Sequence, residues 1–133
     1  MDHLAHFFSR FQTARQRLKR NFSIPYTKKS WHICTVLYAE GLLLGFGPDR
    51  LIRPQILVLH LKYKSSGPLP MPVIHSIKQI SRQGRRVYTP AGDLNDSSDR
   101  LFLLSTSRGI LSSQEARFFR VGGEVLCEVR KLV

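Results

Sequence analysis

The sequence predicts an α+β protein of two small domains: an N-terminal helix-strand-helix-strand-strand unit and a mainly β C-terminal domain with one short helix. Three features carry this expectation. Apolar residues recur with a helical period near the N-terminus, strand-like alternation replaces that period afterwards, and a proline-rich stretch interrupts both near the middle of the chain. With 133 residues, 42% of them hydrophobic, the chain can bury a real core.

Leu4, Phe7, Phe8, Phe11 and Leu18 share one helical face, and His6, Arg10, Thr13 and Arg17 line the other, which predicts an amphipathic first helix with a cationic back. Asn21 to Pro25 reads as a short strand, because the residue before a proline is pushed out of the helical region. A second helix is expected from about Lys28 to Glu40, with Thr27 as N-cap, Ile33, Cys34, Val36 and Leu37 as its apolar face, and Gly41 as a left-handed terminator. Strands follow at Leu42 to Phe46 and Gln55 to Tyr63, joined by a turn at Gly47-Pro48-Asp49.

Ser65 to Pro72 holds three prolines and a glycine in eight positions, which no helix or central strand tolerates. It is the expected linker (65–72) between an N-terminal α/β domain (1–64) and a C-terminal domain (73–133). There the strand candidates are Val73 to Ile80, Arg86 to Tyr88, Leu101 to Thr106, and Glu124 to Val129. In the last of these Val125, Cys127 and Val129 alternate with Leu126, Glu128 and Arg130. Ser112 and Glu115 fit a capping box for a short helix through Phe119. The polar run Thr89 to Arg100, with Pro90, Gly92, Asn95 and Asp96, reads as an exposed loop.

Composition narrows the function. Lys and Arg number 21 against 9 acids, a formal charge of +12, so a polyanion is the expected partner: nucleic acid first, a membrane surface second. Cys34 and Cys127 form no CxxC pair and sit in apolar runs, so they are expected as buried free thiols rather than metal ligands or a disulfide. No apolar stretch approaches the ~20 residues that span a bilayer.

Catalytic constellations are scarce. Of the nine acids, Asp93, Asp96 and Asp99 crowd one loop, and Asp49 sits in a turn. The five histidines are scattered, with only His3 and His6 near each other, close to the terminus. No enzymatic activity, cofactor or metal is expected. Gly122-Gly123 belongs to neither a GxGxxG nor a Walker motif, and a turn needing positive φ explains the pair.

Basic, hydroxyl-rich turns are what the sequence offers instead. Ser81-Arg82-Gln83-Gly84-Arg85-Arg86 sets three guanidinium groups around a glycine, a fit for phosphate oxygens that a plain charged hairpin tip would equally present. Ser105-Thr106-Ser107-Arg108-Gly109 brings small hydroxyls, a close backbone approach and one cation to a strand end; ordinary turn chemistry would also use these residues.

In order, these pieces resemble the ribosomal protein eight family of the bacterial-type small subunit, nearly end to end. Asp2 through Ala14, with Ser9-Arg10-Phe11-Gln12-Thr13, resembles the family's opening helix. Pro25-Tyr26-Thr27-Lys28-Lys29 and Glu40-Gly41 resemble the limits of its second helix, and Leu61-Lys62-Tyr63 the strand before the linker. Ile80 through Tyr88 resembles the family's Ser-Arg-Pro-Gly-x-Arg-x-Tyr turn. Leu104 through Leu111 is similar to its Ser-Thr-Ser-Lys-Gly signature, and Glu115-Ala116-Arg117 and Val121 through Cys127 follow at the family's spacing.

The resemblance implies two α+β domains and a structural protein that binds the central domain of small-subunit rRNA, beside neighbouring small-subunit proteins. Its main contact would be Ser105, Thr106, Ser107 and Gly109, with Tyr88 and Glu124 near them and Arg108, Gly122 and Gly123 in the same motifs. Arg10, Thr13, Lys28 and Lys29 would supply an N-terminal contact, and Arg82, Arg85 and Arg86 a basic turn. Departures occur at Gln83, where a proline is usual, at Gln12 and Thr13, and in the long 65–72 stretch. They point to a divergent organellar ribosome, mitochondrial before plastid, with the bacterial cytoplasm as the alternative. Three rivals stand beside this: a non-ribosomal RNA-binding or translational repressor protein, a peripheral membrane protein using Phe7, Phe8 and Phe11, and a transit-peptide role for the acid-free run His3 to Ala39.

Overall fold

A computed structural model of the chain describes residues 3–49, 53–65, 67–94 and 97–132. Asp2, Ser66, Asn95 and Asp96, which entered the sequence expectations, lie outside the described residues.

Helix α1 (His3–Gln16) buries Leu4, Phe7, Phe8, Phe11 and Ala14, while His6, Arg10 and Thr13 face outward. Leu18 departs from the expected apolar face. The helix has ended at Gln16, so Leu18 takes a left-handed backbone (φ 54) and is 52% exposed. Strand β1 (Asn21–Pro25) turns Phe22 and Ile24 inward. Helix α2 (Lys28–Ala39) starts where expected, with Thr27 Oγ1 accepting the Ser30 N–H at 3.1 Å. Gly41, at φ 76, makes the left-handed exit that a side chain would oppose.

Strand β2 (Leu43–Asp49) is longer than the sequence implied, whereas β3 (Arg53–Leu61) has the expected length but begins and ends two residues earlier. The expected turn Gly47-Pro48-Asp49 lies within β2, with a register shift between Pro48 and Asp49. An edge strand tolerates a proline, and β2 is an edge of the antiparallel sheet β1-β3-β2. Beyond it, β4 (Tyr63–Lys64) pairs with β5 (Met71–Pro72), which ties together the ends of the proline-rich stretch.

The second sheet has the order β6-β10-β8-β9, with β7 also on β10; these are β6 (Ile74–Gln79), β7 (Tyr88–Thr89), β8 (Arg100–Thr106), β9 (Gly109–Ser112) and β10 (Gly123–Lys131). Strand β9 was not expected: four residues are too few to display a period. Helix α3 (Ser113–Phe119) carries the full Ser112/Glu115 capping box. Leu126, expected on the outer side of β10, is 1% exposed, because a register shift between Val125 and Cys127 rotates it into the core.

Both long helices bridge the sheets. Helix α1 packs on β1 and β6, and α2 on β2 and β9. One apolar cluster runs from Phe7 and Phe11 through Ile33, Leu57 and Leu59 to Leu103 and Val129. Gln12 Oε1 adds a polar tie by accepting the Ile77 N–H at 3.2 Å. Cys34 and Cys127 are free and buried, and burial pushes both thiols well above the ordinary range.

Candidate nucleic-acid interface

The Ser105–Gly109 turn is a two-residue hairpin between β8 and β9, closed by the pairing of Thr106 with Gly109. The Thr106 hydroxyl donates to the Gly109 carbonyl at 2.8 Å and accepts the Arg108 N–H at 3.1 Å. Both of these bonds are internal, so Thr106 shapes the turn. Ser107 and Arg108 are left exposed at its tip, and Gly109 adopts φ 100, a conformation natural only to glycine.

Strand β10 supports this turn from beneath. Across the sheet, Tyr88, Glu124 and Ser105 lie in one row, and Thr89, Gly123, Thr106 and Gly109 in the next. Neighbours in such a row project from the same face, so Tyr88, Glu124 and Ser105 share a surface. The glycine pair serves packing rather than backbone freedom, contrary to the sequence expectation: neither is among the positive-φ residues. A Cβ on Gly123 would stand 2.2 Å from the Ser105 carbonyl oxygen, and one on Gly122 2.5 Å from that of Thr89. Only bare backbone lets β10 pass this close beneath the turn.

The arginine-rich turn leaves the sheet between β6 and β7. Ser81 is buried, and its hydroxyl both accepts the Val87 N–H at 2.9 Å and donates to the Val87 carbonyl at 3.2 Å, pinching the loop shut. Arg82 and Arg85 pair backbone to backbone across Gly84, which takes φ 82, and their side chains are exposed. Arg86 does not join them as a third free cation. Its guanidinium donates to Glu124 Oε1 at 3.0 Å, setting the carboxylate in the row with Tyr88 and Ser105.

Lys28 and Lys29, on the first turn of α2, meet Gln83 and Arg86 across a cleft of about 340 Å³ that Thr27 and the start of α1 also line. Two stretches far apart in sequence thus form one basic wall, continuous through the Arg86–Glu124 pair with the hydroxyl turn. Arg10 and Thr13 stand apart from that cleft on the outer face of α1, where Arg10 Nε donates to the Ser23 carbonyl at 3.1 Å. A larger apolar cleft, about 730 Å³ beside Leu18, Leu44 and Leu69, contains none of the expected site residues.

Sequence reasoning overlooked two features. Arg86 was read as a phosphate fork, although the acid that binds it lies 38 positions away and no local pattern announces it. Phe118 and Phe119 drew no attention, yet they are 80% and 39% exposed, with the Arg108 guanidinium 4.6 Å from the Phe119 ring centre. No local pattern announced this exposure, because an apolar helical stripe is wide enough to hold two consecutive residues, as Phe7 and Phe8 show in α1. Among the described residues no three His, Cys, Asp or Glu side chains group to hold a metal, and no helix is long and apolar enough to cross a membrane.

The chain is similar to known proteins over nearly its whole length. Residues 2–130 match the family model described as Ribosomal protein S8. A small ribosomal subunit protein uS8 of Alcanivorax borkumensis is 35% identical over 130 residues, covering 96% of each chain. Its counterpart in Thermus thermophilus is 35% identical over 134 residues, covering 96% of this chain and 97% of the relative. That of Paramagnetospirillum magneticum is 36% identical over 132 residues, 96% of each.

Proposed function

Because the chain belongs to the ribosomal protein S8 family, and is therefore a structural, non-enzymatic constituent of the small ribosomal subunit, we propose that it is held there by binding the central domain of small-subunit rRNA directly. The observation that carries this is the Ser105–Gly109 hairpin, fixed from within by Thr106 and from beneath by Gly123, beside a row of Tyr88, Glu124 and Ser105. A rigid turn exposing a hydroxyl, backbone and one cation suits a distorted RNA groove or an unstacked base. The basic residues Arg82, Arg85, Lys28 and Lys29, with Arg10 and Thr13 on α1, supply phosphate contacts that set affinity and register.

Labour divides along the chain. The C-terminal unit (73–133) selects the RNA, and the N-terminal unit (1–64) adds charge beyond the 65–72 connection. Neighbouring small-subunit proteins complete the set of partners, with no small-molecule substrate and no membrane insertion. We place the ribosome in a mitochondrion, on the departures at Gln83, Gln12 and Thr13 and the long 65–72 stretch; sedimentation with bacterial cytoplasmic subunits in a fractionated cell would contradict that.

Filter binding tests the RNA contact. Thr106→Val combined with Ser107→Ala should weaken binding to a central-domain rRNA fragment by more than ~1 kcal/mol, since the turn loses its brace and RNA acceptors lose a donor. Unchanged affinity would refute it.

A further inference from the structure

Resting on that reading, we propose that Phe118 on α3 is a stacking platform for an unpaired base of the same RNA, with Phe119 and Arg108 as its buttress. Phe118 is 80% exposed, and its ring meets Phe119 edge to face, 5.2 Å between centres and 83° between planes. Phe119 in turn carries the Arg108 guanidinium 4.6 Å from its ring centre. Arg108 is itself a tip residue of the hydroxyl turn, its N–H fixed by Thr106. The aromatic pair is therefore joined to the turn by a direct contact and continues the same surface.

Helix α3 is well anchored for such a task. The Ser112/Glu115 capping box holds its start, and the Arg120 (φ 56) and Val121 N–H groups close its end on carbonyls of the helix. The acid of this helix, Glu115, is engaged in the box, while Arg117 donates to the Leu94 carbonyl and Arg120 is exposed. A π face among cations matches a nucleotide, which presents a flat base and a phosphate in one residue. An apolar protein segment would fit the ring but leave the arginines without a counter-charge.

The test is filter binding of a central-domain rRNA fragment to the wild-type chain and to Phe118→Ala, Phe118→Leu and Phe118→Trp, with thermal melts to verify folding. Losing a base–aromatic stack predicts about a tenfold weaker Kd for both Ala and Leu. Trp should keep the affinity, and the salt dependence should not change, because no phosphate contact is removed. Wild-type affinity in the Leu variant would overturn the proposal, as apolarity alone would then suffice. Unchanged RNA affinity in the Ala variant together with poorer incorporation into small subunits would overturn it too, by assigning this face to a protein. In both cases the wild-type chain still selects the RNA, whereas failure of the underlying reading would abolish that selection.

Discussion

Single atoms decide the shape of the candidate site. A methyl group at position 123 would overlap the Ser105 carbonyl oxygen and sit 3.1 Å from Thr106 Cγ2, so Gly123→Ala must displace β8, β10 or both. Overpacking of this kind costs about 1–3 kcal/mol, which in a chain of this size lowers Tm by roughly 3–10 °C. RNA affinity should fall further than stability, and comparing the melt with a binding isotherm at a temperature where the variant is folded checks this. Thr106→Ser should bind almost normally, since the hydroxyl keeps both turn bonds, and filter binding in which it fails like Thr106→Val would put the role of Thr106 in its methyl group. The glycine pair was visible in the sequence, but its reason was not. Close approach depends on a strand pairing between residues 105 and 124, and nothing local to Gly122-Gly123 encodes that.

At the level of elements, signals written in consecutive residues were the readable ones. Thr27 and Gly41 bracket α2, Pro25 limits β1, and Ser112 with Glu115 marks the start of α3. Ser112 is fully buried and its hydroxyl accepts the Glu115 N–H at 3.2 Å, so Ser112→Ala should cost about 1 kcal/mol, measurable by urea denaturation; an unchanged midpoint would mean that packing alone sets the helix start. Failures came where pairing overrides local chemistry. The Gly47-Pro48-Asp49 signal was absorbed into β2 because β3 pairs with it, β9 exists because β8 is its partner, and Leu126 faces inward because of a bulge. The site was legible as separate motifs. Its assembly was not: the cleft uniting Lys28 and Lys29 with Arg86 is made by tertiary packing alone.

For the whole molecule, charge and core make separate contributions. A formal charge of +12 supplies general attraction to RNA, and each basic residue that touches a phosphate should add about one unit to the salt slope. Arg10→Ala or Lys28→Ala should therefore flatten the dependence of log Kd on log salt while leaving the preference for cognate RNA intact; titrations at several salt concentrations with cognate and arbitrary RNA separate the two. The continuous core makes the opposite prediction for chemistry. With both thiols buried and pushed toward the protonated form, Cys34 and Cys127 should react with a disulfide reagent only after denaturant is added, and rapid modification of the native chain would reveal an opening of the core.

The proposed function is a selective grip on one structured RNA by the hydroxyl turn, glycine floor and basic wall. The most direct measurement is a competition in which the purified wild-type chain, at moderate salt, chooses between a central-domain rRNA fragment and an arbitrary duplex of equal length. Clear retention of the rRNA fragment against excess duplex is the predicted result, and equal displacement by either RNA would contradict it.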